Sequence, residues 1–303
     1  MLQGDYRSLF RGSGLDLADL REYQYGDDVR AIDWNVTARM DTPYVREYTE
    51  DRELTAWFLL DLSPSVDFGT VDSERQKRTV LIDFVTTLAR LLTRRGNRVG
   101  AVFYGDEVRR TIPAKGGREQ VLRLIDDLLE QPQLPSASFT DLTPLLETAQ
   151  RALKRRSLVF VLSDFISAPG WERPLSLLNR RHEVMAVRLF DPREVELPDV
   201  GPLIMEDAET GEQLYVDTHD RRFRQRFEAA ARRREEEMSA AFRRSGVEAV
   251  SLSTEEDLVR AIVRMATLRR QRKPGYGQAA TAARHATASG RSLVPAGAGT
   301  GDR

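Results

Sequence analysis

The chain has 303 residues, 41% of them hydrophobic and 31% charged, and a net charge of −1. That balance suits a globular protein with a substantial core and gives no bulk electrostatic drive toward nucleic acid or anionic membranes. There is no cysteine, which removes disulfides, thiol nucleophiles and zinc–cysteine sites, and His182, His219 and His285 lie scattered without metal-ligand spacing.

Residues 1–53 are polar, spotted with aromatics and rich in Arg and Asp, with little periodicity and a turn at Gly26-Asp27. They read as an N-terminal extension packed on the core. The start lacks a signal-peptide pattern, and no apolar run approaches the roughly 18 residues of a membrane helix, so the expectation is a cytoplasmic protein without membrane insertion. Trp57, Phe58, Leu59 and Leu60 predict a buried strand over 54–60. Helical spacing of Leu81, Phe84, Val85, Leu88, Leu91 and Leu92 predicts a helix over 74–95, stopped by Gly96. Strands at 98–104 and 107–112 flank Gly105-Asp106 as a hairpin. Helices follow at 117–130 and 141–155 around a Pro/Ser-rich loop at 131–139.

"SLVFVLSDF", residues 157–165, is a second buried strand ending in polar residues. A short helix at 170–179 leads to a strand at 182–190. Residues 191–217 suggest an inserted β-hairpin with Thr210-Gly211 near its turn. A long helix spans 220–244, and its "RRREEE" run at 232–237 pairs opposite charges at i,i+3 and i,i+4 on a solvated face. A last strand at 247–253 and helix at 255–270 close a domain of residues 54–270. Residues 271–303, rich in Ala, Gly, Thr and Ser, read as a disordered tail.

Alternating strands and helices predict an α/β fold: a doubly wound, mostly parallel sheet covered on both faces. Ligands of such sheets sit outside the carboxyl ends of the strands. There the first apolar strand runs into Asp61-Leu62-Ser63-Pro64-Ser65, and the second into Ser163-Asp164. Alternation points Asp61, Ser63 and Ser65 to one side if the chain stays extended. Between them, Thr140 and Asp141 stand at the start of a helix. Two carboxylates, Asp61 and Asp164, with the hydroxyls of Ser63, Ser65 and Thr140, form an all-oxygen set. That set suits a hard divalent cation such as Mg²⁺. Each residue also has a structural explanation: Asp61 as a strand end, Thr140 as a helix cap, Ser163-Asp164 as a turn.

The pattern Asp61-x-Ser63-x-Ser65, Thr140, Asp164 resembles the metal-ion-dependent adhesion site of von Willebrand factor type A domains, as does the element order from 54 to 190. The resemblance implies that these five residues bind Mg²⁺, Mn²⁺ or Ca²⁺, directly or through water, and that a partner's acidic group completes the coordination. Further upstream, Tyr23-x-x-Gly26-Asp27-x-x-Arg30-x-Ile32-Asp33-Trp34, followed by Thr37-Ala38-Arg39, resembles the signature of the domain of unknown function 58 family. Membership implies a non-catalytic, metal-dependent protein-interaction module that serves as adaptor or partner to MoxR-type AAA+ ATPases or their clients.

Read from the residues, Tyr23 and Trp34 are either packing anchors, with Arg30, Asp27 and Asp33 fixing the turn by ion pairs, or parts of a recognition surface. The enzymatic alternative is a Mg²⁺-dependent hydrolase or phosphoryl-transfer enzyme. It needs a general base, for which Asp67 and Asp141 are the candidates in sequence. No P-loop signature is present. In a third reading the chain is a metal-free scaffold and the rim residues are purely structural.

Overall fold

A computed structural model describes residues 16–49, 54–67, 76–134, 140–206 and 211–272. Most of the tail expected from 271 onward lies outside them. In chain order the elements are β1 (Asp16–Glu22), α1 (Trp34–Met40), β2 (Tyr44–Thr49), β3 (Thr55–Asp61), α2 (Lys77–Thr93), β4 (Arg98–Tyr104), β5 (Val108–Lys115) and α3 (Arg118–Leu129). Then come α4 (Thr143–Ala152), β6 (Leu158–Ser163), α5 (Glu172–Arg181), β7 (Glu183–Phe190), β8 (Pro202–Glu206), β9 (Gln213–Asp217), α6 (Arg221–Ser245), β10 (Glu248–Ser253) and α7 (Leu258–Arg272).

Six strands form the central sheet in the order β10-β7-β6-β3-β4-β5. All neighbours are parallel except β4 and β5, which pair antiparallel at one edge. The strands at the centre are apolar on both faces because both faces are covered. Phe58 and Leu60 of β3, with Phe160 and Leu162 of β6, pack under α2, α3 and α7. Trp57, Leu59, Val159 and Val161 point the other way, under α4, α5 and α6. This is the doubly wound α/β architecture that the strand–helix alternation predicts.

The helices carry the expected stripes. In α2, Val80, Leu81, Phe84, Val85, Leu88, Ala89 and Leu92 are buried at three- and four-residue spacing. In α6, Asp220 caps the start by accepting from the Arg222 amide, and Gly246 ends the helix in the left-handed region at φ 67°. The charges of "RRREEE" find partners outside the run rather than within it: Arg232 pairs with Glu228 one turn earlier at 3.3 Å, and Glu235 with Arg188 of β7.

The N-terminal segment has more regular structure than its sequence suggests. β1 and β2 pair antiparallel and enclose α1. Asp33 caps α1 through the amides of Asn35 and Val36, and Asp27 holds Arg21 by two hydrogen bonds of 2.7 and 2.8 Å. The ion pair therefore runs from Asp27 to Arg21, not to Arg30, which is exposed. Trp34 is 69% exposed and opens α1, so it does not act as a packing anchor. The expected hairpin after β7 is β8–β9; its predicted turn residue Thr210 lies outside the described residues, and Gly211 has φ 71°.

Phe160 stacks on Phe58 with ring centroids 5.5 Å apart and meets Phe84 edge-on at 6.2 Å. Replacing Phe160 by Ala removes this buried contact and leaves a cavity at the sheet's centre. The expected loss in a urea-unfolding measurement is about 3–5 kcal/mol.

Candidate functional site

In the central sheet the chain begins at β3, steps one way to β4 and β5, and then the other way to β6, β7 and β10. The change of direction between β3 and β6 makes their carboxyl ends the switch point of the sheet, where ligands of such folds bind. Leu60 lies opposite Leu162 in the parallel register, which brings Asp61 level with Ser163. The Ser163 hydroxyl donates to Asp61 Oδ2 at 2.6 Å, and the Ser63 amide donates to Asp61 Oδ1 at 3.0 Å.

Four of the expected ligands gather here. Asp61 and Ser63 are fully buried, Ser65 and Asp164 nearly so. The hydroxyls of Ser63 and Ser65 face each other at 3.1 Å, and the Pro64–Asp67 turn that begins between them fixes their spacing. Asp164 is held in its own turn, Oδ1 accepting from the Ile166 amide at 3.0 Å.

Thr140 is buried too, and its carbonyl accepts from the Ala168 amide at 2.8 Å, tying it to the loop after β6. It does not start the helix as the sequence suggests. With Pro144 in the first turn, α4 begins at Thr143, and Asp141 Oδ1 accepts from the Thr143 amide at 2.9 Å.

Sequence reasoning missed two members of this rim. Lys77, the first residue of α2, has no solvent exposure. Its ammonium donates to Asp164 Oδ2 at 3.1 Å and to Glu194 Oε1 at 2.6 Å. Glu194 lies in the 3-10 turn after β7, where its other oxygen accepts from the Asp191 amide at 3.2 Å as half of a capping box. One signal was present: the chain has lysine at 77, 115, 154 and 273 against a large excess of arginine. Arginine is the usual cation of buried ion pairs, so a lysine kept in a chain this rich in arginine stands out.

Burial pushes the Asp61 carboxyl up to about 6, and the charge of Asp164 adds to the push. Hydrogen bonds from Ser163 and Ser63 oppose it without cancelling it. Burial alone would lower the Lys77 ammonium, but the charges of Asp164 and Glu194 outweigh it and hold the pKa above its ordinary value. Burial also drives the Tyr104 phenol up to about 12; the charges of Asp61 and Asp141 add to the push, and a hydrogen bond with the Asp141 backbone opposes it.

The rim thus holds the carboxylates Asp61, Asp164 and Glu194 with one ammonium. A cation at Asp61 would relieve the burden that raises its pKa, and the Ser63 and Ser65 hydroxyls stand beside it as neutral oxygen donors. This donor set fits a hard divalent ion. Among the described residues no group of three or more His, Cys, Asp or Glu side chains could hold a metal. A cation would therefore depend on hydroxyls and water. Of the candidate bases, Asp67 is bound by Arg78 at 2.9 and 3.1 Å, and Asp141 caps the Thr143 amide.

A carboxyl that titrates near 3.8 when unfolded and near 6 when folded holds extra protons in the folded state between those values. The metal-free protein should therefore lose stability as pH rises from about 4 to 6, by on the order of 3 kcal/mol. In chelator, Asp61→Asn is expected to flatten that part of the pH–stability profile, because an amide carries no charge; its oxygen can keep the Ser63 bond while the Ser163 hydroxyl turns to accept from its NH2.

The chain matches the family described as "Protein of unknown function DUF58" over residues 19–237. An uncharacterized protein of Mycobacterium tuberculosis is 36% identical over 271 residues, 89% of this chain and 84% of that protein. Another from Mycobacterium avium is 34% identical over 160 residues, 53% of this chain and 94% of that protein. Among solved structures, BatB from Bacteroides thetaiotaomicron overlaps with a TM-score of 0.48 at 13% identity, covering 72% of this chain and 99% of that one. Manganese-loaded TRAP protein of Plasmodium vivax overlaps with a TM-score of 0.35 at 16% identity, covering 45% and 57%. The match over residues 19–237 and the extent of the mycobacterial likeness place this chain in the DUF58 family, whose function is unknown.

Proposed function

We propose that the chain is a non-catalytic protein-interaction module that engages an acidic group of a partner through a divalent cation at the β3–β6 rim. The observation that carries this reading is Asp61: fully buried, raised toward neutrality, and flanked by two hydroxyls where a doubly wound sheet divides. Asp61, Ser63 and Ser65 would hold Mg²⁺, or Mn²⁺ or Ca²⁺ in its place, with Thr140 contributing from the β6 side. Asp164, already engaged by Lys77 and the Ile166 amide, would act through a bound water. The bound ion would supply an open position for a carboxylate. Mg²⁺ prefers six oxygens and sheds water reluctantly, and hydroxyl ligands add no charge. An incoming carboxylate therefore brings charge that the ion lacks.

The enzymatic alternative needs a free base or nucleophile beside the ion. Asp67 is engaged by Arg78, Asp141 by a backbone amide, and Lys77 by two carboxylates. These engagements favour binding over turnover. The partner, a MoxR-type AAA+ ATPase or its client, rests on the family resemblance. No described helix is long and apolar enough to cross a membrane.

Calorimetric titration of the purified chain with Mg²⁺ or Mn²⁺ is expected to show saturable binding that Asp61→Ala abolishes and Ser63→Ala plus Ser65→Ala weakens at least about tenfold. Equal heats for wild type and Asp61→Ala would remove the cation from the mechanism. Capture of a MoxR-type ATPase on the immobilised chain should be lost in EDTA; capture unaffected by EDTA and by the double serine variant would leave an adaptor that works without metal.

A further inference from the structure

We propose that Lys77 is a permanent internal counter-ion of the rim, clamped between Asp164 and Glu194, that holds Asp164 in place and keeps the affinity for a divalent cation low. This rests on the cation reading above and assigns part of its control to a residue outside the five expected ligands.

A lysine with no solvent exposure at the first position of a helix is unfavourable twice over. Burial disfavours its charge, and the helix's positive end repels it. Two carboxylates from two other strand ends compensate: Asp164 after β6 and Glu194 after β7. Glu194 is itself fixed by the Asp191 amide. The ammonium thus stitches α2 to the loops of two adjacent strands.

The two aspartates of the rim are consequently unlike. Asp164 already has a cation on Oδ2 and a backbone amide on Oδ1. Asp61 receives hydrogen bonds from the neutral Ser63 amide and Ser163 hydroxyl. A divalent ion drawn to Asp61 meets, across Asp164, a positive charge that cannot move away. The rim can stay folded without metal, and metal loading is weakened by repulsion. An acidic partner group would offset that repulsion and so tighten the weak loading that the chain reaches alone.

The test uses the full chain and Mn²⁺ alone, with free Mn²⁺ followed by electron paramagnetic resonance and thermal midpoints measured in parallel. Wild type, Asp61→Ala, Lys77→Met and Lys77→Met/Glu194→Gln are compared. The double variant removes one positive and one negative charge, so it keeps the rim's net charge while removing the ammonium. Both Lys77 variants are expected to bind Mn²⁺ more tightly than wild type. For Lys77→Met the gain should be about tenfold, the repulsion between a monovalent and a divalent charge flanking one carboxylate when screened as fully as water screens it; the double variant, which also gives up the attraction of Glu194, should gain less. Lys77→Met should unfold at lower temperature without metal and recover with Mn²⁺, whereas the wild-type midpoint moves little.

If Lys77→Met fails to fold without metal, the double variant decides. Affinity in the double variant equal to or weaker than wild type overturns the proposal. If wild type and Asp61→Ala both take up no Mn²⁺, the cation reading of the native rim fails. In that case a double variant that gains binding supports the role given to Lys77, and one that gains none overturns it.

Discussion

Asp61 lies at the carboxyl end of β3 without solvent exposure, accepting hydrogen bonds from a neutral amide and a neutral hydroxyl, with a second carboxylate close enough to raise its pKa. Burying a carboxylate is costly unless it is paired with opposite charge. Asp164 has such a partner in Lys77. The surrounding structure keeps Asp61 in this unfavourable position through sheet pairing on both sides of β3 and through the helices packed on both faces. A cavity or register shift at the sheet's centre would release that constraint. The stability of the core and the chemistry of the rim are therefore linked.

A second strained feature sits beside the same rim. Phe165 has φ 59°, a left-handed backbone that costs a bulky residue about 1–2 kcal/mol. The Ser163 hydroxyl accepts from its amide at 2.8 Å. Its ring packs in a buried cluster with Trp171 at 5.3 Å and with Phe242 of α6 at 4.8 Å. Ser163 and Asp164 follow one another at the end of β6 and point in opposite directions along the rim, one toward Asp61 and one toward Lys77.

Much of this arrangement was legible in the sequence because it depends on local pattern. Continuous apolar runs identified β3 and β6 as strands buried on both faces, and polar residues at their ends marked the rim. The alternation of elements predicted parallel neighbours at the centre. What could not be read depends on long-range contact or weak pattern. Lys77 meets partners 87 and 117 residues away. The strands Asp16–Glu22 and Tyr44–Thr49 carry many charges and pair with each other outside the central sheet, so they show little alternation of apolar and polar residues. The sequence puts Thr140 at a helix start, whereas Pro144 sets the beginning of α4 at Thr143. Arg30 and Trp34, weighed both as structural anchors and as a recognition surface, are exposed, as are Tyr25 and Val29.

The central claim is that the rim between β3 and β6 is a cation site built on Asp61 and the two serines that follow it. Anomalous scattering from crystals grown with Mn²⁺ tests it most directly. The account predicts a peak within direct-ligand reach, about 2.2 Å, of Asp61 or of the Ser63 and Ser65 hydroxyls, with Asp164 further out and still bonded to Lys77. A fully loaded crystal with its peaks elsewhere and none at this rim would contradict it.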